Sequence, residues 1–143
     1  MTTVTRTATV TLADGMAFDA TTGSGHTVRL DATPDHGGSD TGPSPMEALL
    51  LSLGGCTGMD VISMLRKMRQ DITAYRVDVR GERRDEHPRI YTEIVVEHIL
   101  SGPDLDPKQV ARAVELSATK YCPVSAMLAA GTEVRHTYRL ETM

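Results

Sequence analysis

The chain has 143 residues, with 15 basic and 19 acidic side chains, 40% hydrophobic residues and only 3% aromatic residues. This length predicts a single domain over residues 1–143, and the apolar fraction suffices for a packed core. The net charge of −4 and the scarcity of aromatic rings exclude the basic, stacking surface that nucleic acid requires, so no nucleic-acid partner is expected.

The N-terminal third has the pattern of β-strands. Residues 2–12 alternate Thr or Arg with apolar residues, Asp14-Gly15 is a hairpin turn signal, and residues 16–20 and 26–32 continue as strands. We expect a three-stranded antiparallel meander. The next loop, T-P-D-H-G-G-S-D-T-G-P, is either a surface connector or a mobile flap near a site.

The segment S-P-M-E marks the start of a long helix. Ser44 is placed as N-cap and Glu47 occupies the capping-box position, and the apolar pattern continues to about Gln70. The first half is apolar on nearly every face, so we expect it to be buried on all sides, in the centre of an assembly. Gly54 and Gly55 lower the helix propensity, which indicates that another helix or a substrate packs close to the backbone there.

The second half of the chain predicts a hairpin, two helices and a last strand. Strand-like alternation recurs in residues 74–83, 90–100 and 132–140. Asp106 is placed to cap a helix, with Gln109 in the reciprocal capping position, and Pro123 begins a further helical segment. The order β-β-β-α-β-β-α-α-β indicates an α+β fold with antiparallel sheets.

The two cysteines are the strongest nucleophiles in the chain. Cys56 lies inside the apolar run M-E-A-L-L-L-S-L-G-G-C-T-G-M-D, and Cys122 opens Y-C-P-V-S-A-M-L. A thiol just before a helix-starting proline points toward unpaired N–H groups and a positive dipole end, which lowers its pKa, so Cys122 is expected to be the better thiolate. A lone cysteine in an apolar helix is often only a small hydrophobe, but two placed this way indicate redox chemistry.

Several other kinds of site lack a sequence signal. The five histidines show no metal-type spacing with each other or with the cysteines, so neither a metal nor a bound cofactor is expected. The N-terminus lacks an apolar signal core, and the longest apolar run, Leu49 to Leu53 interrupted by Ser52, is too short to span a bilayer. These features predict a cytoplasmic protein without a membrane partner.

Three segments together resemble one known family. They are S-P-M-E-A-L-L-L-S-L-G-G-C-T-G-M-D-V, G-E-R-R-D-E-H-P-R-I-Y-T and S-A-T-K-Y-C-P-V-S. They are similar to osmotically inducible protein C and the organic hydroperoxide resistance proteins (OsmC/Ohr), and closest to the subgroup with S-P-M-E and G-G-C. The resemblance covers nearly the whole chain and implies an OsmC-like fold, with antiparallel sheets around long central helices, in an intertwined homodimer.

The resemblance also implies a chemistry, thiol-dependent reduction of organic (alkyl or lipid) hydroperoxides in oxidative stress defence. Cys56 would be the peroxidatic cysteine that becomes a sulfenic acid, and Cys122 would be the resolving cysteine that condenses with it to a disulfide. An external thiol reductant, dihydrolipoyl in the best-known branch, would restore both thiols.

Two features depart from the hydroperoxide resistance branch. That branch carries N-P-E, whereas Met46 follows the proline here and Glu47 comes one residue later, so Glu47 either supports catalysis or only caps the helix. This substitution leaves open a non-catalytic OsmC-like dimer that binds a small apolar or acyl ligand. Asp60, one turn after Cys56, either orients an arginine or moves a proton, or is simply a paired or solvated helix charge.

The branch also uses an arginine from the N-terminal region to hold the thiolate. Arg29 and Arg6 are the candidates in that part of the chain. Arg83, Arg84 and Arg89, in the predicted hairpin, are the alternatives.

Overall fold

The computed structural model describes residues 2–141 and confirms the predicted α+β fold and element order. The elements are β1 (Ala8–Leu12), β2 (Phe18–Thr22), β3 (Thr27–Leu30), α1 (Pro45–Lys67), β4 (Ala74–Arg83), β5 (Tyr91–Ser101), α2 (Pro107–Leu116), α3 (Pro123–Ala129) and β6 (Glu133–Glu141). A π-helical turn, Ser117–Tyr121, joins α2 to α3. The chain divides into two compact units, Met1–Leu49 and Leu50–Met143, and the division falls inside α1.

The first unit contains the antiparallel meander β1-β2-β3. Strand pairing begins only at Ala8, although the alternating pattern begins at residue 2. One face of this sheet is apolar and open, because the side chains that it presents are between 36% and 58% exposed. They are Val10, Leu12, Phe18 and Val28.

A buried carboxylate organises the loop after β3. Asp31 is 3% exposed and accepts hydrogen bonds from the N–H groups of Ala32, Ser39 and Thr41 and from the Thr41 hydroxyl. These hydrogen bonds lower the pKa of Asp31 to about 2. The internal bonds favour the connector interpretation of this loop over a mobile flap.

The predicted capping box of α1 is confirmed. The N–H of Ser44 donates to Oε1 of Glu47 at 2.9 Å, and the N–H of Glu47 donates to Oγ of Ser44 at 3.2 Å. The helix ends at Lys67, before the predicted Gln70, because Arg69 adopts a left-handed conformation with φ 59° and turns the chain.

Within one chain, α1 buries one stripe rather than all its faces. The buried positions are Leu53, Thr57, Val61 and Leu65. Leu51 is 66% exposed and Met59 is 74% exposed, so complete burial would need a second molecule. By length and composition alone α1 could also span a membrane. Sequence reasoning missed this because it considered only the short apolar run Leu49 to Leu53 and not the whole helix. Central helices of globular proteins share that property.

The second sheet has the order β4-β5-β6. β4 and β5 are antiparallel as predicted, but β6 pairs with β5 in parallel, because the chain crosses over through α2 and α3 before it returns. α1 packs closely on β4: a Cβ at Gly54 would lie 3.1 Å from Val79 Cγ2, and one at Gly58 would lie 3.4 Å from Val77 Cγ2. The close neighbour of Gly54 within one chain is therefore a strand. A Cβ at Gly55 would meet no atom of another element among residues 2–141 within 4 Å.

The cap of α2 differs from the prediction in one partner. Asp106 caps the helix, since its Oδ1 accepts the N–H of Lys108 at 3.0 Å. The Asp106 N–H donates to Oε1 of Gln70 at 2.8 Å, so a residue distant in sequence takes the place expected for Gln109.

Candidate functional site

The structure brings the two thiols together. Cys56, in the middle of α1, is half-buried, and Cys122, at the start of α3, is 3% exposed. Their numbering places them 66 positions apart, yet their side chains interact, since Cys56 raises the pKa of the Cys122 thiol. The fold therefore brings the two thiols together, as a disulfide between them requires.

The π-helical turn sets the position of Cys122. The Cys122 N–H donates to the carbonyl of Ser117 at 2.9 Å, a bond across five residues instead of four. Pro123 then starts α3, and the N–H of Ser125 donates to the sulfur of Cys122 at 3.4 Å. The thiol thus caps α3, as the Y-C-P-V-S sequence predicted.

The consequence expected from that cap is wrong. Burial raises the pKa of the Cys122 thiol to about 11, and it outweighs the Ser125 N–H, which lowers it. The hydrogen bond with Cys56 and the charge of Asp60 raise the pKa further. Cys122 is therefore a protonated thiol at neutral pH, because the sequence reveals the cap but not the depth at which it is buried.

A chain of polar side chains connects α1 to the turn that carries Cys122. Oδ2 of Asp60 accepts the Ser117 hydroxyl at 3.0 Å, and Oγ of Ser117 lies 2.7 Å from Oγ1 of Thr57. Asp60 thus accepts a hydrogen bond from the turn that carries Cys122. Sequence reasoning missed Thr57 and Ser117, although both lie inside segments that carry the family resemblance, which is the signal that could have found them.

A groove of about 720 Å³ runs along α1 and α2. Its apolar lining is Met59, Met64, Met68, Leu116 and Tyr121. Asp60, Lys67 and Arg112 supply its charges. Two of its lining residues are neighbours of the thiols along the chain: Tyr121 directly precedes Cys122, and Asp60 lies one turn after Cys56 on α1. Methionine side chains make such a surface adaptable to ligands of different shape.

A second polar network reaches Cys122 through Ser125. The Tyr75 hydroxyl is 2.6 Å from Nδ1 of His98, the rings of His98 and His136 stack with centroids 6.2 Å apart, and Nε2 of His136 is 3.1 Å from Oγ of Ser125. Burial lowers the pKa of His98 to about 4 and also lowers the pKa of His136. Sequence reasoning tested these histidines only for metal spacing and missed that both occupy inward positions of alternating strands.

Glu47 and Arg29 have local partners. Glu47 is engaged in the capping box of α1. Nε of Arg29 donates to Oδ1 of Asp19 at 2.9 Å, and its Nη2 donates to Oδ2 at 3.1 Å, directly across β2 and β3.

The hairpin arginines hold their own loop. Nε of Arg83 donates to the carbonyl of Arg89 at 2.8 Å, and Nε of Arg84 donates to the carbonyl of Pro88 at 2.6 Å. Within residues 2–141, no group of three or more His, Cys, Asp or Glu side chains is placed to hold a metal ion.

Comparison with known proteins agrees with this arrangement. The protein YhfA of Escherichia coli K12 is 42% identical over 127 residues, which cover 89% of this chain and 92% of YhfA. A crystal structure of a hypothetical protein from Aquifex aeolicus VF5 is 30% identical, with a TM-score of 0.86 and 99% of both chains covered.

More distant structures share the fold. An organic hydroperoxide resistance protein from Elizabethkingia anophelis superposes with a TM-score of 0.71 at 14% identity, covering 98% of this chain and 99% of that one. Residues 37–137, which contain both cysteines and α1 to α3, match the family described as OsmC-like protein. The chain belongs to the OsmC-like family.

Proposed function

We propose that this chain is a thiol peroxidase that reduces organic hydroperoxides through Cys56 and Cys122. The observation that carries the proposal is the interaction between the two thiols, through which Cys56 raises the pKa of Cys122. In the first step, the Cys56 thiolate attacks the terminal peroxide oxygen and the O–O bond breaks. The alkoxide takes a proton and leaves as the alcohol, and Cys56 becomes a sulfenic acid.

The second step forms the disulfide. The sulfur of Cys122 attacks the sulfur of the Cys56 sulfenic acid, and the S–O bond breaks. The thiol proton and the departing hydroxide leave together as water. An external dithiol, of which dihydrolipoyl is the expected example, then reduces the disulfide by thiol–disulfide exchange.

The environments of the two thiols support this division of roles. Cys122 is buried and protonated at neutral pH, which suits a resolving thiol that waits until the sulfenic acid has formed. Cys56 is the more exposed of the two, so a peroxide reaches it more readily.

The groove supports an organic rather than an inorganic peroxide. Its methionine and leucine side chains favour an alkyl or lipid chain over hydrogen peroxide. The organic hydroperoxide resistance protein of Elizabethkingia anophelis has the same fold, which agrees with this substrate class. We further propose that the enzyme acts as a homodimer in the cytoplasm.

The test is a single-turnover oxidation of the reduced protein with cumene hydroperoxide. We expect mass spectrometry to show the loss of two hydrogens and a peptide that joins Cys56 to Cys122. Cys122→Ser should stop at a sulfenic acid that dimedone traps on Cys56, and Cys56→Ser should not react. Retention of both thiols in the wild type under a modest excess of peroxide would contradict the proposal.

A second candidate function is the non-catalytic binding of a small acyl ligand. Lys67 and Arg112 at the groove offer positive charge to a carboxylate whose chain the methionines would cover, and Met46 occupies the place of the glutamate in the hydroperoxide resistance branch. Native mass spectrometry of freshly purified protein would reveal a retained ligand. Equal ligand occupancy in Cys56→Ser, without any peroxide turnover in the wild type, would favour this function.

A further inference from the structure

Ser125 links the Cys122 thiol to the polar network that contains His136. Its N–H donates to the Cys122 sulfur at 3.4 Å, and its hydroxyl lies 3.1 Å from Nε2 of His136. The side chain is almost fully buried. One residue therefore connects the thiol at the start of α3 with the imidazole on β6.

The His136 ring depends on this contact for its orientation. Its Nδ1 is buried and has no hydrogen-bond partner among residues 2–141, so the bond to Ser125 is the one that fixes the ring in the described structure. Burial lowers the pKa of His136, so the imidazole is neutral at neutral pH. A neutral imidazole can either accept the Ser125 hydroxyl proton or donate to its oxygen.

We propose that His136 is a positioning residue for the resolving step. It holds the Ser125 hydroxyl in place and thereby keeps the Ser125 backbone N–H directed at the Cys122 sulfur. This inference rests on the proposed peroxidase function. Negative charge develops on the Cys122 sulfur as it loses its proton and attacks the Cys56 sulfenic acid. An N–H aimed at that sulfur stabilises the charge.

The surrounding charged groups oppose this charge rather than stabilise it. Cys56 and Asp60, both on α1, face the Cys122 thiol and raise its pKa. His98 on β5 stacks on His136, and Glu115 on α2 and Tyr138 on β6 line the same cavity as His136. Displacing the Ser125 N–H from the sulfur should therefore move the pH dependence of disulfide formation to higher pH.

A cavity of about 390 Å³ beside His136 makes a chemical rescue feasible. Ser125, His136, Val134 and Ala118 are among the residues that line it. Truncation of His136 to alanine would enlarge this cavity by the volume of the ring. Imidazole added to the solution could then occupy the vacated position and bind the Ser125 hydroxyl.

The experiment separates the two chemical steps by rapid mixing of reduced full-length protein with cumene hydroperoxide. Sulfenic acid formation and its decay to the disulfide are followed by quenched mass spectrometry between pH 6 and pH 9. The variants are His136→Ala, His136→Gln and Ser125→Ala. The control is Tyr75→Phe, which removes the hydroxyl that contacts His98 and leaves Ser125 untouched.

We expect disulfide formation to slow about tenfold in His136→Ala and Ser125→Ala, as for the loss of one hydrogen bond to a charged group, with its pH profile moved upward. Sulfenic acid formation should stay within about twofold of the wild type. His136→Gln, which keeps a partner for Ser125, and Tyr75→Phe should close the disulfide at near the wild-type rate. Imidazole should restore His136→Ala but not Ser125→Ala.

Other results would overturn the inference. A wild-type rate and pH profile in both His136→Ala and Ser125→Ala would do so while leaving the peroxidase function intact. Equal slowing in His136→Gln and His136→Ala would show that ring packing and not the hydrogen bond to Ser125 matters. Slowing in Tyr75→Phe would show that the effect is not specific to the contact between His136 and Ser125. If His136→Ala does not fold, Ser125→Ala and His136→Gln decide between the same outcomes. A wild-type protein that forms no disulfide at all would instead refute the proposed function.

Discussion

The buried imidazole of His98 makes the folded state sensitive to mild acid. Its side chain is fully buried, and burial lowers its pKa from 6.5 to about 4. Below pH 6.5 the unfolded chain binds a proton that the folded chain does not bind until about pH 4. Stability therefore falls as the pH decreases through this window, by about 3 kcal/mol in total. Urea denaturation at pH 7.5, 5.5 and 4.5 measures this loss.

Two histidine variants test whether His98 causes the loss of stability in mild acid. His98→Gln cannot titrate, so its free energy of unfolding should depend much less on pH, although His136 contributes in the same direction because burial lowers its pKa too. His26→Gln, at an exposed position of the first unit, should keep the full wild-type dependence. An equally steep loss in His98→Gln would disprove the assignment.

Asp31 should make the stability of the folded state depend on pH in a more acidic range than His98 does. Its hydrogen bonds lower the pKa of the folded state from 3.8 to about 2, so their stabilising contribution is present above pH 3.8 and is lost as the pH falls toward 2. Asp31→Asn should lower the melting temperature at pH 6, and the difference from the wild type should shrink between pH 4 and pH 2. Asp104→Asn, an exposed carboxylate, is the matched control. A constant difference down to pH 2 would count against this prediction.

Variants of Glu47, in the capping box at the start of α1, distinguish a capping role of this residue from a catalytic role. Because a glutamine oxygen can still accept the Ser44 N–H, Glu47→Gln should retain both the stability and the peroxidase rate of the wild type. Glu47→Ala leaves that N–H without its partner and should lower the free energy of unfolding by about 1 kcal/mol. Chemical denaturation and peroxide turnover of both variants measure these effects. A large loss of turnover in a stable Glu47→Gln protein would mean that the carboxylate takes part in catalysis.

The elements with complete local signals could be predicted from the sequence. The capping box of α1 lies within four consecutive residues, and β4 has the predicted bounds Ala74–Arg83 because its alternation runs directly into a polar turn. β1 is shorter than its pattern, because residues 2–7 alternate but lie beyond the strand register. The parallel pairing of β6 follows from the path of α2 and α3, and no pattern within β6 encodes that path.

The candidate site could be predicted only in part, because the sequence reveals local motifs but not the contacts between distant elements. Motif resemblance identified Cys56 and Cys122, and the Y-C-P-V-S sequence predicted the cap of α3. The pKa of Cys122 was not predictable, because its burial depends on contacts made across the fold. Ser125 and His136 meet from different elements, and that contact exists only in three dimensions.

At the scale of the molecule, the apolar surface of a single chain is larger than a monomer normally leaves uncovered. Only 22% of the most apolar window of α1 is buried, and Leu51 and Met59 on that helix are mostly exposed. The open face of the first sheet adds Val10 and Leu12. Exposed apolar surface of this extent marks an interface, and the resemblance that identified the family implies a second copy of the chain as the partner.

We therefore expect a homodimer in solution, and the two faces of β1 provide a matched pair of variants. Val10→Lys introduces a charge on the apolar face, whereas Thr11→Lys introduces the same charge on the opposite face of the same strand. Because an unpaired charge is costly to bury, Val10→Lys and Leu51→Lys should weaken the dimer at least about tenfold, and Thr11→Lys should not. Sedimentation equilibrium at micromolar concentrations measures all three dissociation constants. If the wild type sediments as a stable monomer, the exposed face of α1 has no second copy to cover it, and a different molecule must occupy that surface.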